Sequence, residues 1–137
     1  MVGIVIVSHS EKLAEGVVEI SKMMAKSAPV AAAGGLEDGS LGPSYDRIRA
    51  AIESVYSEDG VIILADMGAA IMTTEIVLED LALDKVKLVD CPLVEGAVFA
   101  AVESAGGMKF EELSEHVKKS RAFKKLDDDE FSDDDDW

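Results

Sequence analysis

The stretch VGIVIVSHSE, residues 2–11, sets six mostly branched apolar residues ahead of a histidine between two serines, after which the chain turns charged. An unbroken apolar run of that length reads as a strand buried on both faces, the kind that parallel sheets use. Three more apolar runs, continuous or nearly so, lie at residues 30–33, 61–65 and 86–89. Between them the apolar spacing changes to that of helices: Leu13, Val17, Ile20 and Met24; then Tyr45, Ile48, Ile52 and Val55; then Ile71, Thr74, Leu78 and Leu81. Two further helices read from Val94, Val98 and Val102 and from Phe110, Leu113 and Val117. Strand and helix alternate throughout. The pattern predicts an α/β fold, an open three-layer sandwich whose four-stranded parallel sheet carries helices on both faces and right-handed crossovers. The habit of such folds suggests the strand order 2-1-3-4.

A chain of 137 residues is one domain's worth. With 5% aromatics, its core must be aliphatic. The formal net charge of −15 argues against nucleic acid or an anionic membrane as a partner, since both would repel it. Setting aside the eight acidic and two basic residues after Ala122 leaves −9, so the acidity belongs to the body as well. We therefore expect a domain over residues 1–122 and an acidic, disordered tail over 123–137, in which Phe131 and Trp137 could dock. Cys91 is the one cysteine, which excludes an internal disulfide, and the start at Met1 lacks a signal-peptide layout. No run approaches the ~18 apolar residues of a membrane span. A cytoplasmic location is the simplest expectation.

Ligands of open parallel sheets sit beyond the carboxyl ends of the strands, where the strand order reverses. The reactive residues of this chain fall there. His9 follows the first strand, Asp66 the third, Asp90 and Cys91 the fourth, and the loop GGLEDGSLGPS, residues 34–44, the second. With strands one and three adjacent, His9 and Asp66 can face each other. His9 can also be a polar residue beside a helix start, because Ser8 and Glu11 have the spacing of a capping box. In the chemical reading, a carboxylate on one ring nitrogen fixes the tautomer and leaves the other nitrogen free as a nucleophile. An anion beside it would meet the amides opening the first helix, from Ser10, and those of Gly68, Ala69 and Ala70 opening the third. That combination suits a phosphoryl group carried on His9.

Other phosphate and hydrolytic chemistries lack their residues. An SHS sequence stands where a response-regulator receiver would have its acidic pair. Neither the dinucleotide nor the P-loop fingerprint is present, and there is no G-x-S-x-G. One histidine with the scattered carboxylates Asp66 and Asp90 makes a weak metal set, and no metal site is expected. Cys91 before Pro92 reads as a packed turn residue, His116 as a surface position, and Met23, Met24, Met67 and Met72 as core or interface packing.

Taken together, GIVIVSHS with His9, GGLEDGSLGPS, ILADMGAA with Asp66, and CPLVEGAVFAAV resemble the phosphotransferase subunits of phosphoenolpyruvate-dependent dihydroxyacetone kinases, which have the mannose-type EIIA fold. The resemblance covers residues 1–122 in order. It implies that His9 is a phosphohistidine, that the donor is the carrier protein HPr, and that the acceptor is ADP held on the DhaL subunit. DhaL then phosphorylates dihydroxyacetone on DhaK. A homodimer is implied as well. Relatives often carry a serine where this chain has Ala69, so backbone amides must serve the phosphate here. No bound cofactor is expected, because transfer between histidines needs positioning and charge stabilisation. Any magnesium would travel with the partner's nucleotide. A mannose-type EIIA domain serving sugar transport and a non-catalytic module sensing phosphorylation state are the alternative readings.

Overall fold

The computed structural model describes residues 1–127. Strands β1 (Gly3–Ser8), β2 (Val30–Gly34), β3 (Val61–Ala65) and β4 (Val86–Leu88) form one parallel sheet in the order β2-β1-β3-β4. Helices α1 (Glu11–Met24), α2 (Tyr45–Val55), α3 (Gly68–Leu81), α4 (Leu93–Ala105) and α5 (Phe110–Lys118) follow in chain order, and a 3₁₀ turn, Lys119–Ala122, closes the described body. Among the described residues, fold class, strand order and the number of α-helices are those read from the sequence.

The central strand shows why a continuous apolar run was needed. Ile4 and Ile6 of β1 point into a core shared with α1, α4 and α5, while Val5 and Val7 point into a second core shared with α2 and α3. All four are fully buried. Each such side chain contributes about 1.5–3 kcal/mol of burial, on whichever face it falls.

The helix faces differ from the spacing-based reading. Helix α1 buries Ala14, Val17 and Ser21, whereas Leu13, Ile20 and Met24 are exposed. Helix α4 buries Gly96, Ala97, Ala100 and Ala101, and Val94 and Val102 face out. In α3, Ala70, Thr74 and Val77 are buried, with Ile71 exposed. Small residues let a helix lie close on the sheet, so the larger apolar residues one position away are left at the surface. Met23, Met24, Met67 and Met72 are all exposed, which rules out their core reading.

Two glycines mark the closest approaches. A Cβ on Gly34 would lie on Ser10 O and 2.7 Å from Ala14 Cβ, so the end of β2 can touch the start of α1 only as glycine. A Cβ on Gly96 would lie on Cys91 Sγ, so α4 sits directly against the turn leaving β4. Beyond Ala122 the chain stays on the body: Phe123 packs edge-on against Phe99, centroids 5.7 Å apart, and Lys125 pairs with Glu95 at 2.5 Å. Phe131 and Trp137, and most of the acidic run, lie outside the described residues.

Candidate functional site

The ends of β1 and β3 are adjacent, since Val7 pairs with Ala65. The next residues of the two strands, with their side chains, form the site. His9 Nδ1 lies 3.0 Å from Asp66 Oδ1, and the His9 backbone N–H donates to Asp66 Oδ2 at 3.0 Å. The Ser8 hydroxyl donates to Oδ2 at 2.7 Å, and the Met67 N–H to Oδ1 at 2.7 Å. Both oxygens of Asp66 therefore accept two hydrogen bonds, which fills the carboxylate's ordinary capacity. Partial burial on its own would raise the Asp66 pKa, but the hydrogen bonds from Ser8, His9 and Met67 outweigh it and hold the group below its usual value. An ionised Asp66 accepts from Nδ1–H, which leaves Nε2 as the ring nitrogen with a free lone pair.

Ser10 caps α1, its Oγ accepting from Leu13 N–H at 3.1 Å, while its own N–H donates to Ser8 Oγ at 3.0 Å. The cap is thus Ser10, and the Ser8–Glu11 spacing is not a capping box: Ser8 is the last residue of β1 and faces Asp66. Helix α3 opens differently. Its N-cap Met67 provides no side-chain bond, and Ala70 N–H turns back to Met67 O at 2.8 Å. Gly68 and Ala69 occupy the first helical positions, whose N–H groups have no partner within a helix.

The 34–44 loop, which flexible composition marks in the sequence, is tied in place. Gly42 N–H donates to His9 O at 2.8 Å, Asp38 Oδ1 accepts from Ser40 N–H at 2.9 Å, and Ser44 Oγ donates to Glu37. Arg47, which sequence reading did not single out, reaches Glu11 Oε2 at 2.6 Å and Gly34 O at 3.0 Å. It binds the first turn of α2 to that of α1. No spacing signal points to it, because the contact exists only once β2 lies beside β1.

Asp90 and Cys91 share a cavity with Asp66, Ile71, Leu88 and Val89 but make no hydrogen bond to His9 or Asp66. Burial, with Asp90 alongside, pushes the Cys91 thiol up to about 12, which favours the protonated, weakly nucleophilic form. His116 lies apart, beside Phe99, Glu103 and Phe123. Among the described residues no group of three or more His, Cys, Asp or Glu could hold a metal ion. Among them also, no helix is long and apolar enough to cross a membrane.

The chain is thus a parallel α/β sandwich with an aspartate-held histidine at its switch point. An EIIA component of the phosphotransferase system from Streptococcus agalactiae has this fold at a TM-score of 0.66, 18% identity, and coverage of 88% of this chain and 92% of that one. A protein of unknown function matches at a TM-score of 0.78, 28% identity and coverage of 87% and 95%. The chain belongs to the mannose-type EIIA family, whose family model, described as PTS system fructose IIA component, matches residues 3–117. Among curated relatives, the PTS-dependent dihydroxyacetone kinase phosphotransferase subunit DhaM of Lactococcus lactis is 37% identical over 117 residues, covering 85% of this chain and 94% of the relative. The PEP-dependent dihydroxyacetone kinase phosphoryl donor subunit DhaM of Escherichia coli is 40% identical over 120 residues, 82% of this chain. That match spans only 25% of the E. coli protein.

Proposed function

We propose that this chain is the phosphoryl carrier of a phosphoenolpyruvate-dependent dihydroxyacetone kinase, a cytoplasmic system in which HPr phosphorylates His9 and ADP on DhaL accepts the group for use on DhaK. The observation that carries the reading is the His9–Asp66 pair, with Nδ1 engaged and Nε2 free. The names of the relatives supply the substrate side of the proposal.

In this mechanism the Nε2 lone pair attacks the phosphorus of the donor's phosphohistidine. The donor P–N bond breaks as the new one forms. Asp66 keeps the proton on Nδ1 and stabilises the positive charge that develops on the ring. The phosphoryl oxygens meet the N–H groups of Gly68 and Ala69, with Ala70 next in the turn, and the Ser10 hydroxyl, which accepts from Leu13 and keeps its own proton to donate. A β-phosphate oxygen of ADP then attacks phosphorus, and the electrons of the P–N bond return to Nε2. Exposed Met67, Met72 and Ile76, on and beside α3, favour a homodimer through that helix, which sedimentation of Met72→Asp would test by yielding monomers.

The deciding experiment loads the chain with labelled phosphoenolpyruvate, Enzyme I and HPr, then adds either ADP-loaded DhaL or a sugar-transport EIIB domain. Label should be acid-labile, base-stable, absent from His9→Ala and unaffected by His116→Ala, and only DhaL should drain it. Drainage by EIIB would make this a sugar-transport EIIA domain. Label retained against both acceptors, in a stable partner complex, would make it a regulatory module.

A further inference from the structure

Ser8 ends the central strand with its side chain fully buried, opposite Gly34 of β2. A buried hydroxyl costs stability unless it is hydrogen-bonded, and alanine would fill the same strand position without that requirement. Both bonds of this hydroxyl serve the site: it donates to Asp66 Oδ2 and accepts from Ser10 N–H. We propose that Ser8 is a positioning residue that fixes the plane of the Asp66 carboxylate, and through it the tautomer of His9, without touching the transferred group. For its kinetic consequence the proposal rests on the phosphoryl-carrier reading; its geometric consequence stands apart from it.

The terminal torsion of an aspartate is soft, so the carboxylate takes whatever orientation its donors impose. Two backbone amides, His9 N–H and Met67 N–H, hold one oxygen each. The Ser8 donor falls on the oxygen that His9 N–H holds, which leaves the other to Met67 and the ring. With Ser8 gone, Oδ2 has one donor, and Ser10 N–H loses its acceptor at the point where α1 begins. Three donors remain on the carboxylate, which is then held less tightly at Oδ2 and can turn further about the two amide bonds, and with it the proton on Nδ1. The chain Ser10 N–H, Ser8 hydroxyl, Asp66, His9 ring thus ties the nucleophile to the first turn of α1.

The test compares Ser8→Ala, Asp66→Ala and the double variant, all in the full chain. In ¹⁵N spectra of the unphosphorylated protein, wild-type His9 should show a protonated Nδ1 and an unprotonated Nε2, and Ser8→Ala should move both signals toward their average. Single-turnover phosphorylation by HPr should slow about tenfold in Ser8→Ala, at an unchanged half-saturating donor concentration. In the Asp66→Ala background, where no carboxylate or amide is left for Ser8 to orient, the same change should alter the rate less than about twofold, because the residue acts through Asp66. Should Ser8→Ala not fold, Ser8→Cys takes its place in the same cycle, filling the space with a weaker donor. Unshifted ring nitrogens, or a loss that multiplies that of Asp66→Ala, would overturn the proposal. If no variant, wild type included, takes up phosphate on His9, the carrier reading fails, while the nitrogen spectra still decide the role of Ser8.

Discussion

Replacing Asp66 with asparagine swaps one of two fully used oxygens for a donor, and the hydrogen-bond pattern determines which. With the amide nitrogen at the Oδ1 position, it opposes Met67 N–H and forces Nδ1 to accept, so the ring proton moves to Nε2 and the nucleophile is lost. At the Oδ2 position it opposes His9 N–H, but the Ser8 hydroxyl can turn to accept from it and the ring keeps its tautomer. Each orientation opposes one backbone N–H, but only the second keeps the ring proton on Nδ1, and it is the orientation we expect. What is lost is a charge-assisted bond to the ring, worth about 1.5–3 kcal/mol. At one factor of ten per ~1.36 kcal/mol, phosphorylation of His9 should slow about 10- to 150-fold. A comparable triad that does adopt the wrong tautomer loses about 10⁴. Rapid-quench single-turnover kinetics with labelled HPr, on a variant shown to be folded by circular dichroism, would read the number. A change under about threefold would remove Asp66 from the chemistry, and a loss near 10⁴ would refute the orientation argued here.

The same carboxylate predicts a pH effect: because its pKa is held below the usual 3.8, the native state binds fewer protons than the unfolded chain in acid, and stability falls as pH drops from about 5 through the native pKa. Urea midpoints of Asp66→Asn should lack that part of the acid decline. Gly96→Ala should destabilise by about 1–3 kcal/mol through overpacking on Cys91 and Leu64, and the Cys91→Ala/Gly96→Ala pair should recover most of it in thermal melts. Cys91 should resist iodoacetamide at pH 8 in the native protein and react once the chain is denatured, with mass spectrometry as the readout. Truncation after Ala122 removes the Phe99–Phe123 contact, worth about 0.5–1.5 kcal/mol, so the melting point should fall by a few degrees, about 2–8 °C, while transfer to and from His9 stays within about twofold.

The architecture was legible because its determinants are local and strong. The run ending at Val7 is apolar at every position, and only a strand covered on both sides needs that. The His9–Asp66 pairing followed from the strand order, since both residues come directly after neighbouring strands. Helix faces were misassigned for a physical reason: reading favours large apolar residues such as Leu13, Ile20 and Val94, whereas the sheet selects Ala14, Ser21 and Ala97 for close approach. The capping-box spacing of Ser8 and Glu11 misleads because a strand end and a helix cap differ by two residues here, a margin within which periodicity has no resolution. Arg47 and the Gly42–His9 bond join segments far apart in the chain, so no local pattern carries them.

Four donors converge on Asp66, two of them backbone amides just past the ends of different strands. The carboxylate is therefore a rivet as well as a charge: β1 and β3 cannot separate at this end without releasing the histidine. Competence and local order rise and fall together, so thermal breathing should produce molecules that are silent and none that are sluggish. The amides of His9 and Met67, although in connecting segments, should exchange with solvent as slowly as those of the strands they follow. A partner that pries this edge open would switch the nucleophile off long before the domain unfolds.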